Sequence, residues 1–170
     1  MLKSLFRERR RSHAVHALGI MGSPREPGFD RFVSAAAHAF DAPIALLSLI
    51  HADRQWFKAT HGMDIDCNSR QGSFCNFALD QADGLEVCDP CGDSRFATLR
   101  FVAGAPHIRY YIGAPLRVGA GVDVGALCVI DVRRRDPASV DQKAYLAALA
   151  RQASAALEAR ADLLDMRGSA

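Results

Sequence analysis

The nearly uninterrupted apolar run at residues 44–50 constrains the fold of this chain more than any other feature of its sequence. Both alternating sets of side chains in this run are largely apolar, so a strand formed by it must be covered on both faces. Residues 51–53 predict a tight turn, and residues 54–60 alternate as the returning strand of a hairpin. The run therefore predicts a strand in an antiparallel sheet that has a layer on each face.

The remaining elements surround this hairpin. A second hairpin is predicted from strands at 109–118 and 124–132, because residues 119–121 contain two glycines suited to the turn. Ser139, followed three residues later by Gln142, is a capping box and predicts the start of a long final helix. Shorter patterns predict two earlier helices, a short strand and one helical turn, at 12–20, 29–40, 85–88 and 94–99. Hairpins flanked by helices indicate an α+β fold of three layers.

Composition indicates one ordinary globular domain. The chain has 170 residues, 49% of them hydrophobic and 24% charged, and its net charge is only +2, so no global charge indicates a nucleic-acid partner. Residues 1–11 are interpreted as a basic N-terminal extension, residues 12–166 as the domain and 167–170 as a tail. A solvated helix face or a frayed terminus explains the basic residues; an arm for nucleic acid or an anionic membrane is the alternative.

The sequence has no apolar stretch of the length of a membrane span and no secretory signal pattern. Its five cysteines are an odd number in a chain long enough to fold without disulfides. These observations predict reduced thiols and a cytoplasmic location.

Cys75 is the principal candidate for chemistry. It follows Gly72, Ser73 and Phe74 in a run that predicts a loop leading into a short helix capped by Ser73. In the first helical turn, free N–H groups and the helix dipole favour a thiolate, yet a free cysteine is also a common buried apolar residue. Three interpretations stay open: a structural residue, a ligand contact and a redox-active thiol.

Cys88 and Cys91 form a Cys-x-x-Cys pair in a turn-rich loop. A zinc site would need two more ligands, and the sequence has no second Cys-x-x-Cys, so a metal is not expected. The pair is interpreted as coincidental, with a regulatory disulfide as the alternative.

Seven segments together resemble the GAF domain, a small-molecule-binding sensory module, and they occur in the order found in that family. The resemblance covers about residues 12–160 and is greatest for the bacterial subgroup with a Ser-Phe-Cys element before the central short helix. The matching segments are 29–32, 43–49, 53–58, 73–75, 93–96, 109–116 and 125–131. A departure is Phe77, which stands where that subgroup usually has a histidine.

The resemblance implies a profilin-like three-layer fold, with an antiparallel sheet, terminal helices on one face, and a ligand pocket under the short helix and a long loop on the other. It implies a sensory or regulatory domain in bacterial signal transduction, without catalytic activity of its own. It also implies a homodimer through the first and last helices and a separate effector protein. The ligand stays unknown; a bilin is disfavoured because Gly92 follows Cys91 where the bilin motif has an aromatic residue.

The candidate ligand-binding residues combine apolar walls, polar anchors and aromatic hydroxyl groups. They are Trp56, Phe74, Cys75, Phe77, Asp89, Arg95, Tyr110 and Tyr111. Since side chains alternate along a strand, either the set with Tyr110 or the set with Tyr111 faces the ligand side.

Two further functions remain as alternatives. One is a thiol-based redox protein of the free methionine-R-sulfoxide reductase type, in which Cys75 would need Cys67, Cys88 or Cys91 as its partner because residues 101–108 lack a cysteine. The other is a structural dimerisation module whose second face is a hydrophobic core without a ligand.

Overall fold

A six-stranded antiparallel sheet forms the middle layer of the protein. The computed structural model describes residues 2–79 and 81–168. Its strands are β1 Ile44–His51, β2 Arg54–His61, β3 Cys67–Ser69, β4 Leu85–Val87, β5 Tyr110–Val118 and β6 Val122–Asp131. They are arranged in the order β3-β2-β1-β6-β5-β4, which places the predicted buried strand next to β6 in the centre.

Helices cover both faces of the sheet. Three helices, α1 Leu2–Ala17, α2 Pro27–Phe40 and α5 Val140–Gly168, pack on one face, which we call the helical face. Two short helices, α3 Phe74–Ala78 and α4 Arg100–Ala103, lie with the long β4–β5 connection on the opposite face, the loop face. The α+β fold of three layers is therefore confirmed.

The burial of β1 on both sides follows from its alternation. Leu47 and Leu49 belong to the core under the helical face, whereas Leu46 and Ile50 belong to the core under the loop face. The neighbouring strand approaches closely at Gly125, where a Cβ atom would lie 1.9 Å from the Ser48 carbonyl oxygen. Only glycine fits this position without moving backbone.

Local signals fix the predicted helix ends. In α5, the Ser139 hydroxyl accepts a bond from the Gln142 N–H at 3.1 Å, and the Gln142 side chain accepts one from the Ser139 N–H at 3.1 Å, which confirms the capping box. Pro27 occupies the first turn of α2, where its missing N–H is no loss.

The first helix begins earlier than the predicted residue 12. It continues through the basic segment, and Arg11 is only 3% exposed because its Nε donates to the Asp123 carbonyl oxygen at 2.7 Å. The proposed boundary at residue 11 thus falls within α1, and the division into extension and domain stays a prediction. The sequence could not reveal this contact, which joins residues far apart in the chain.

Two short elements also differ from the predictions. β3 has no counterpart among the predicted elements, and it exists because residues 67–69 pair with β2. The predicted helical turn at 94–99 consists of turns, and the helix α4 follows it at Arg100–Ala103. Among residues 2–79 and 81–168, no helix combines the length and apolar character needed to cross a membrane.

Candidate functional site

Cys75 lies in the first turn of α3, as predicted. The Ser73 hydroxyl caps this helix by accepting a hydrogen bond from the Asn76 N–H at 3.2 Å, and it donates to the Arg70 carbonyl oxygen at 2.9 Å. Cys75 is 2% exposed and faces the sheet. The cap and the burial together fix the thiol over the centre of the loop face.

A buried polar group surrounds this thiol, and we call it the Cys75 cluster. The Tyr111 hydroxyl donates to the Cys75 sulfur at 3.3 Å. Three further polar side chains lie near enough to influence this thiol, and the cluster consists of Ser48, Gln55, Cys75, Tyr111 and Cys128. Its members come from β1, β2, α3, β5 and β6, so only the assembled sheet brings them together.

Proton affinities within the cluster are unequal. The neighbouring Cys128 thiol lowers the pKa of Cys75 below its ordinary value; burial opposes this effect, and the nearby polar side chains of Ser48, Tyr111 and Gln55 reinforce it. The neighbouring Cys75 thiol, together with burial, raises the pKa of Cys128 well above its ordinary value. Burial likewise raises the pKa of Tyr111. Cys75 is therefore the member of the cluster that loses its proton most readily.

Aromatic rings hold α3 against the sheet and the long loop. Phe74 stacks on Phe96 and on Tyr111, with ring centroids 4.8 Å apart in both pairs. Phe77 meets Phe96 edge-on at 4.9 Å. Phe96 is fully buried, so this ring links the loop to α3 and fixes the position of Cys75.

A cavity of about 30 Å³ adjoins the cluster and is lined by Gln55, Cys75, Tyr111 and Cys128. Half-buried apolar side chains close its outer side, among them Met63, Ile65, Leu99 and Phe101. This volume holds about two water-sized molecules, whereas pockets for drug-sized ligands measure about 300–1,000 Å³. A larger ligand would enter only after α3 and the long loop had moved.

A larger groove, of about 770 Å³, lies on the helical face between α5 and the β4–β5 edge. Its walls carry both charges, since Glu86 pairs with Lys143 at 2.6 Å and Arg151 and Glu158 also line it. None of the eight predicted ligand-binding residues lines this groove.

The structure brings four of the predicted residues together: Phe74, Cys75, Phe77 and Tyr111 lie on the loop face. Tyr110 does not join them, because strand alternation points it to the helical face, where its hydroxyl donates to Glu86 at 2.9 Å. Burial and this bond raise the pKa of Tyr110. Of the two alternating sets in β5, the set with Tyr111 therefore faces the candidate site.

Trp56 also lies away from the cluster. It lines a crevice with Ile20 and Leu49, and its indole N–H has no hydrogen-bond partner among residues 2–79 and 81–168. A bulge between Leu47 and Ser48 shifts the pairing register of β1 with β2. The alternating sequence pattern of β2 gave no sign of this bulge.

The two predicted polar anchors belong to the surface of the long loop. Asp89 pairs with Arg134 at 2.9 Å, and Arg95 makes a fork with Asp93 and covers the Phe96 ring at 4.7 Å from its centroid. Neither side chain lines the cavity beside Cys75. Their prediction as ligand anchors therefore finds no support in this geometry.

The thiol beside Cys75 is Cys128, which sequence reasoning missed. Cys128 lies in β6 within an apolar segment that reads as core, and only strand alternation and pairing place its sulfur beside α3. The predicted partners lie elsewhere: Cys67 contacts Arg54, Cys88 packs against the helical-face core, and Cys91 is exposed. All five cysteines are free thiols. Within the described ranges, 2–79 and 81–168, no three metal-ligating side chains come together.

Arg70 connects the region of α3 with α1. Its Nε donates to the Asn76 side-chain oxygen at 2.7 Å, and its two terminal nitrogens donate to the Glu8 carboxylate at 2.6 and 2.8 Å. Glu8 also accepts from Arg11 at 2.6 Å. The Arg70 hydrogen bond lowers the pKa of Glu8, against a smaller opposing effect of burial. A displacement of α3 would therefore reach the first helix through two charged contacts.

An antiparallel sheet with its terminal helices on one face and a small buried site on the other defines a three-layer α+β domain. The chain belongs to the GAF domain family, whose model matches residues 24–157.

Comparison with curated proteins finds a cyclic di-GMP phosphodiesterase of Pseudomonas aeruginosa that is 39% identical over 144 residues. The match covers 85% of this chain and 24% of that protein, so the chain spans about a quarter of its relative.

Solved structures share the fold at low sequence identity. The GAF domain of an Acinetobacter phosphoenolpyruvate-protein phosphotransferase is 16% identical with a TM-score of 0.66, over 95% of this chain and 96% of that one. A GAF domain of a sensor histidine kinase of Pseudomonas syringae is 16% identical with a TM-score of 0.61, over 97% and 96%. A type II free methionine-R-sulfoxide reductase of Thermoplasma acidophilum is 14% identical with a TM-score of 0.59, over 75% and 89%.

Proposed function

We propose that this GAF domain is a regulatory module that binds a small molecule at the Cys75 cluster and has no catalytic activity of its own. The observation that carries the proposal is the buried polar cluster beside a cavity, joined to α1 by Arg70. Burying polar groups in an otherwise apolar layer costs free energy unless they form hydrogen bonds, either within the protein or with a ligand. We propose further that the domain belongs to the bacterial subgroup with a Ser-Phe-Cys element, an interpretation that residues 73–75 support.

The regulatory mechanism is a shift between two arrangements of α3. A ligand that binds better when α3 and the long loop move outward would favour that arrangement. Because Arg70 bonds both Asn76 and Glu8, the shift would alter the packing of α1. Helix packing then becomes the output of the domain.

The effector is proposed from the phosphodiesterase relative. Since the match covers only 24% of that protein, the function of the rest of it cannot be assigned to this chain directly. The proposed output is control of cyclic di-GMP turnover, by a domain linked to this one or by a separate effector protein, in the cytoplasm predicted from the sequence.

The terminal helices are proposed to form a homodimer. Leu5 and Phe6 near the start of α1 are 59% and 64% exposed, and Leu163, Leu164 and Met166 near the end of α5 are also exposed. Large exposed apolar side chains at the ends of two helices are typical of an interface. Light scattering should give twice the mass of one chain for the wild-type protein and the mass of a single chain for Phe6→Glu. A wild-type monomer would contradict the proposal.

Ligand binding is tested on protein purified from its own host. Native mass spectrometry should reveal a retained small molecule, and adding that molecule back should raise Tm. Gln55→Leu, which removes a polar lining group, should abolish the shift, whereas Arg151→Met in the separate groove should retain it. Equal shifts in both variants would refute the site, and the absence of any ligand would favour a structural dimerisation module.

A thiol-based redox function is the second candidate, because Cys128 supplies the partner thiol that the sequence analysis did not find. Reduction of free methionine sulfoxide is less well supported, since the cavity holds only about two water-sized molecules and residues 101–108 contain no cysteine. An assay of methionine formation from methionine sulfoxide with a dithiol reductant tests that activity directly.

A further inference from the structure

We infer that Cys75 and Cys128 are a redox pair that a small hydroperoxide oxidises to a disulfide between α3 and β6. The inference rests on the proposed regulatory function and names the reactant that the site senses. It requires two neighbouring thiols, unequal acidity, a site for the reactant and a structural consequence, and each of these can be examined separately.

The two cysteines line the same small cavity and come from separate layers. Cys75 is 2% exposed in the short helix α3, and Cys128 is fully buried in the central strand β6. Gly113 and Leu46 flank Cys128 in the sheet pairing, so β6 holds this thiol on both sides. Cys75 belongs instead to a five-residue helix that its cap and aromatic packing hold in place.

The surroundings give the two thiols different roles. A thiolate, not a thiol, attacks a peroxide, and hydrogen bonds that stabilise the thiolate make it more available. The Tyr111 hydroxyl donates such a bond to Cys75 at 3.3 Å, and the nearby Cys128, Ser48 and Gln55 also lower the pKa of the Cys75 thiol. Cys128 keeps its proton because burial and the neighbouring Cys75 both disfavour its ionisation. Cys75 is thus the nucleophile and Cys128 the resolving thiol.

The cavity selects the reactant by size. The cavity, with a volume of about 30 Å³, is lined by both cysteines and accommodates about two water-sized molecules. Hydrogen peroxide fits this space, whereas a bulky organic hydroperoxide does not. Met63, Ile65 and Phe101 on the outer side are half-buried, so small movements of these side chains admit a molecule of that size.

The reaction balances as follows. The Cys75 thiolate attacks one peroxide oxygen, an S–O bond forms, the O–O bond breaks, and the departing hydroxide takes up a proton to become water. The Cys128 sulfur then attacks the sulfenic sulfur of Cys75, an S–S bond forms, the S–O bond breaks, and the thiol proton leaves with the second water. Two thiols lose two electrons and two protons, and hydrogen peroxide is reduced to two waters. A dithiol reductant reverses the change by thiol–disulfide exchange.

The disulfide would change the contacts of α3. Forming it joins α3 to the central strand by a covalent bond. Asn76 follows Cys75 directly and accepts the bond from Arg70, which also holds Glu8 in α1. Oxidation at the cluster therefore reaches the first helix along the route proposed for ligand binding.

The test uses the full reduced chain and one equivalent of hydrogen peroxide. The expected product has two fewer hydrogens, and peptide mapping under non-reducing conditions should show one cross-link, Cys75 to Cys128. In Cys128→Ala, dimedone should trap a sulfenic acid on Cys75, and Cys75→Ala should block both products. The triple variant Cys67→Ala, Cys88→Ala, Cys91→Ala is the control and should retain the cross-link. A Cys88–Cys91 disulfide alone, or no oxidation of the native protein, would overturn the inference without needing any variant.

Reactant size and transmission have separate measurements. Cumene hydroperoxide should react at least tenfold more slowly than hydrogen peroxide; equal rates would overturn selection by the cavity. Hydrogen exchange of α1 should change when the disulfide forms. A cross-link without any change in α1 would refute the proposed regulatory route while retaining the redox pair. A protein that retains a metabolite but is not oxidised by peroxide would refute the redox pair while supporting the proposed ligand binding.

Discussion

Replacing Arg70 with methionine removes the charged fork that joins the region of α3 to α1 while keeping much of the apolar stem. A double-mutant cycle with Glu8→Gln isolates the Arg70–Glu8 contribution, because losses to other partners, such as the bond from Arg70 to Asn76, occur in both arms and cancel. The cycle therefore measures the contact on which the proposed route depends.

The expected coupling follows from the geometry and the exposure. The two N–H···O bonds measure 2.6 and 2.8 Å, and hydrogen bonds to charged groups contribute about 1.5–3 kcal/mol when shielded from water. Fully exposed ion pairs contribute about 0–1 kcal/mol. The side chains of Arg70 and Glu8 are 19% and 32% exposed, between those limits, so we expect a coupling of about 1–1.5 kcal/mol.

Urea unfolding of the four proteins gives the coupling, and each single variant should lower Tm by roughly 2–4 °C for each kcal/mol lost. The matched control is the same cycle on Asp93 and Arg95, an ion pair at the surface of the long loop, where no measurable coupling is expected. A Glu8–Arg70 coupling below about 0.5 kcal/mol would refute the reasoning, since that is the usual error of additivity.

Three further predictions concern stability. Phe96→Ala should lower the free energy of unfolding by about 3–5 kcal/mol in urea, because its ring is fully buried against Phe74 and Phe77; a loss below 1 kcal/mol would contradict this packing. Gly125→Ala should cost more than about 1–3 kcal/mol, since its Cβ would meet the Ser48 carbonyl, whereas Gly28→Ala in α2 meets nothing within 4 Å and should be tolerated. Because Arg70 lowers the pKa of Glu8 from its ordinary 4.5, the contribution of ionised Glu8 to the free energy of unfolding is complete above pH 4.5. This contribution is lost as the pH falls through the lowered pKa. In a plot of the urea midpoint against pH, Glu8→Gln should therefore flatten the decline at acid pH.

Local patterns predicted most of the elements because each signal is complete within a few residues. The capping box at Ser139, the apolar run of β1 and the cap at Ser73 each stabilise their element through neighbouring atoms. β3 was missed because Cys67, Asn68 and Ser69 form no strand pattern of their own and are ordered by pairing with β2.

The composition of the site was predicted less completely. Alternation allowed Tyr110 or Tyr111 to face it, and only the position of the helices distinguishes the two faces. Asp89 and Arg95 were predicted as anchors from their polarity, but in the structure they are engaged by Arg134 and Asp93 at the surface.

The sequence by itself determined the three-layer fold, the family and the position of Cys75 at a capped helix start, because those properties depend on periodicity and short-range hydrogen bonds. Only the tertiary structure decided what surrounds that thiol. Cys128, Ser48 and Gln55 lie far from Cys75 along the chain, and they meet because three strands present alternate side chains to one face under α3. Such a convergence depends on strand order and register, which no single segment encodes.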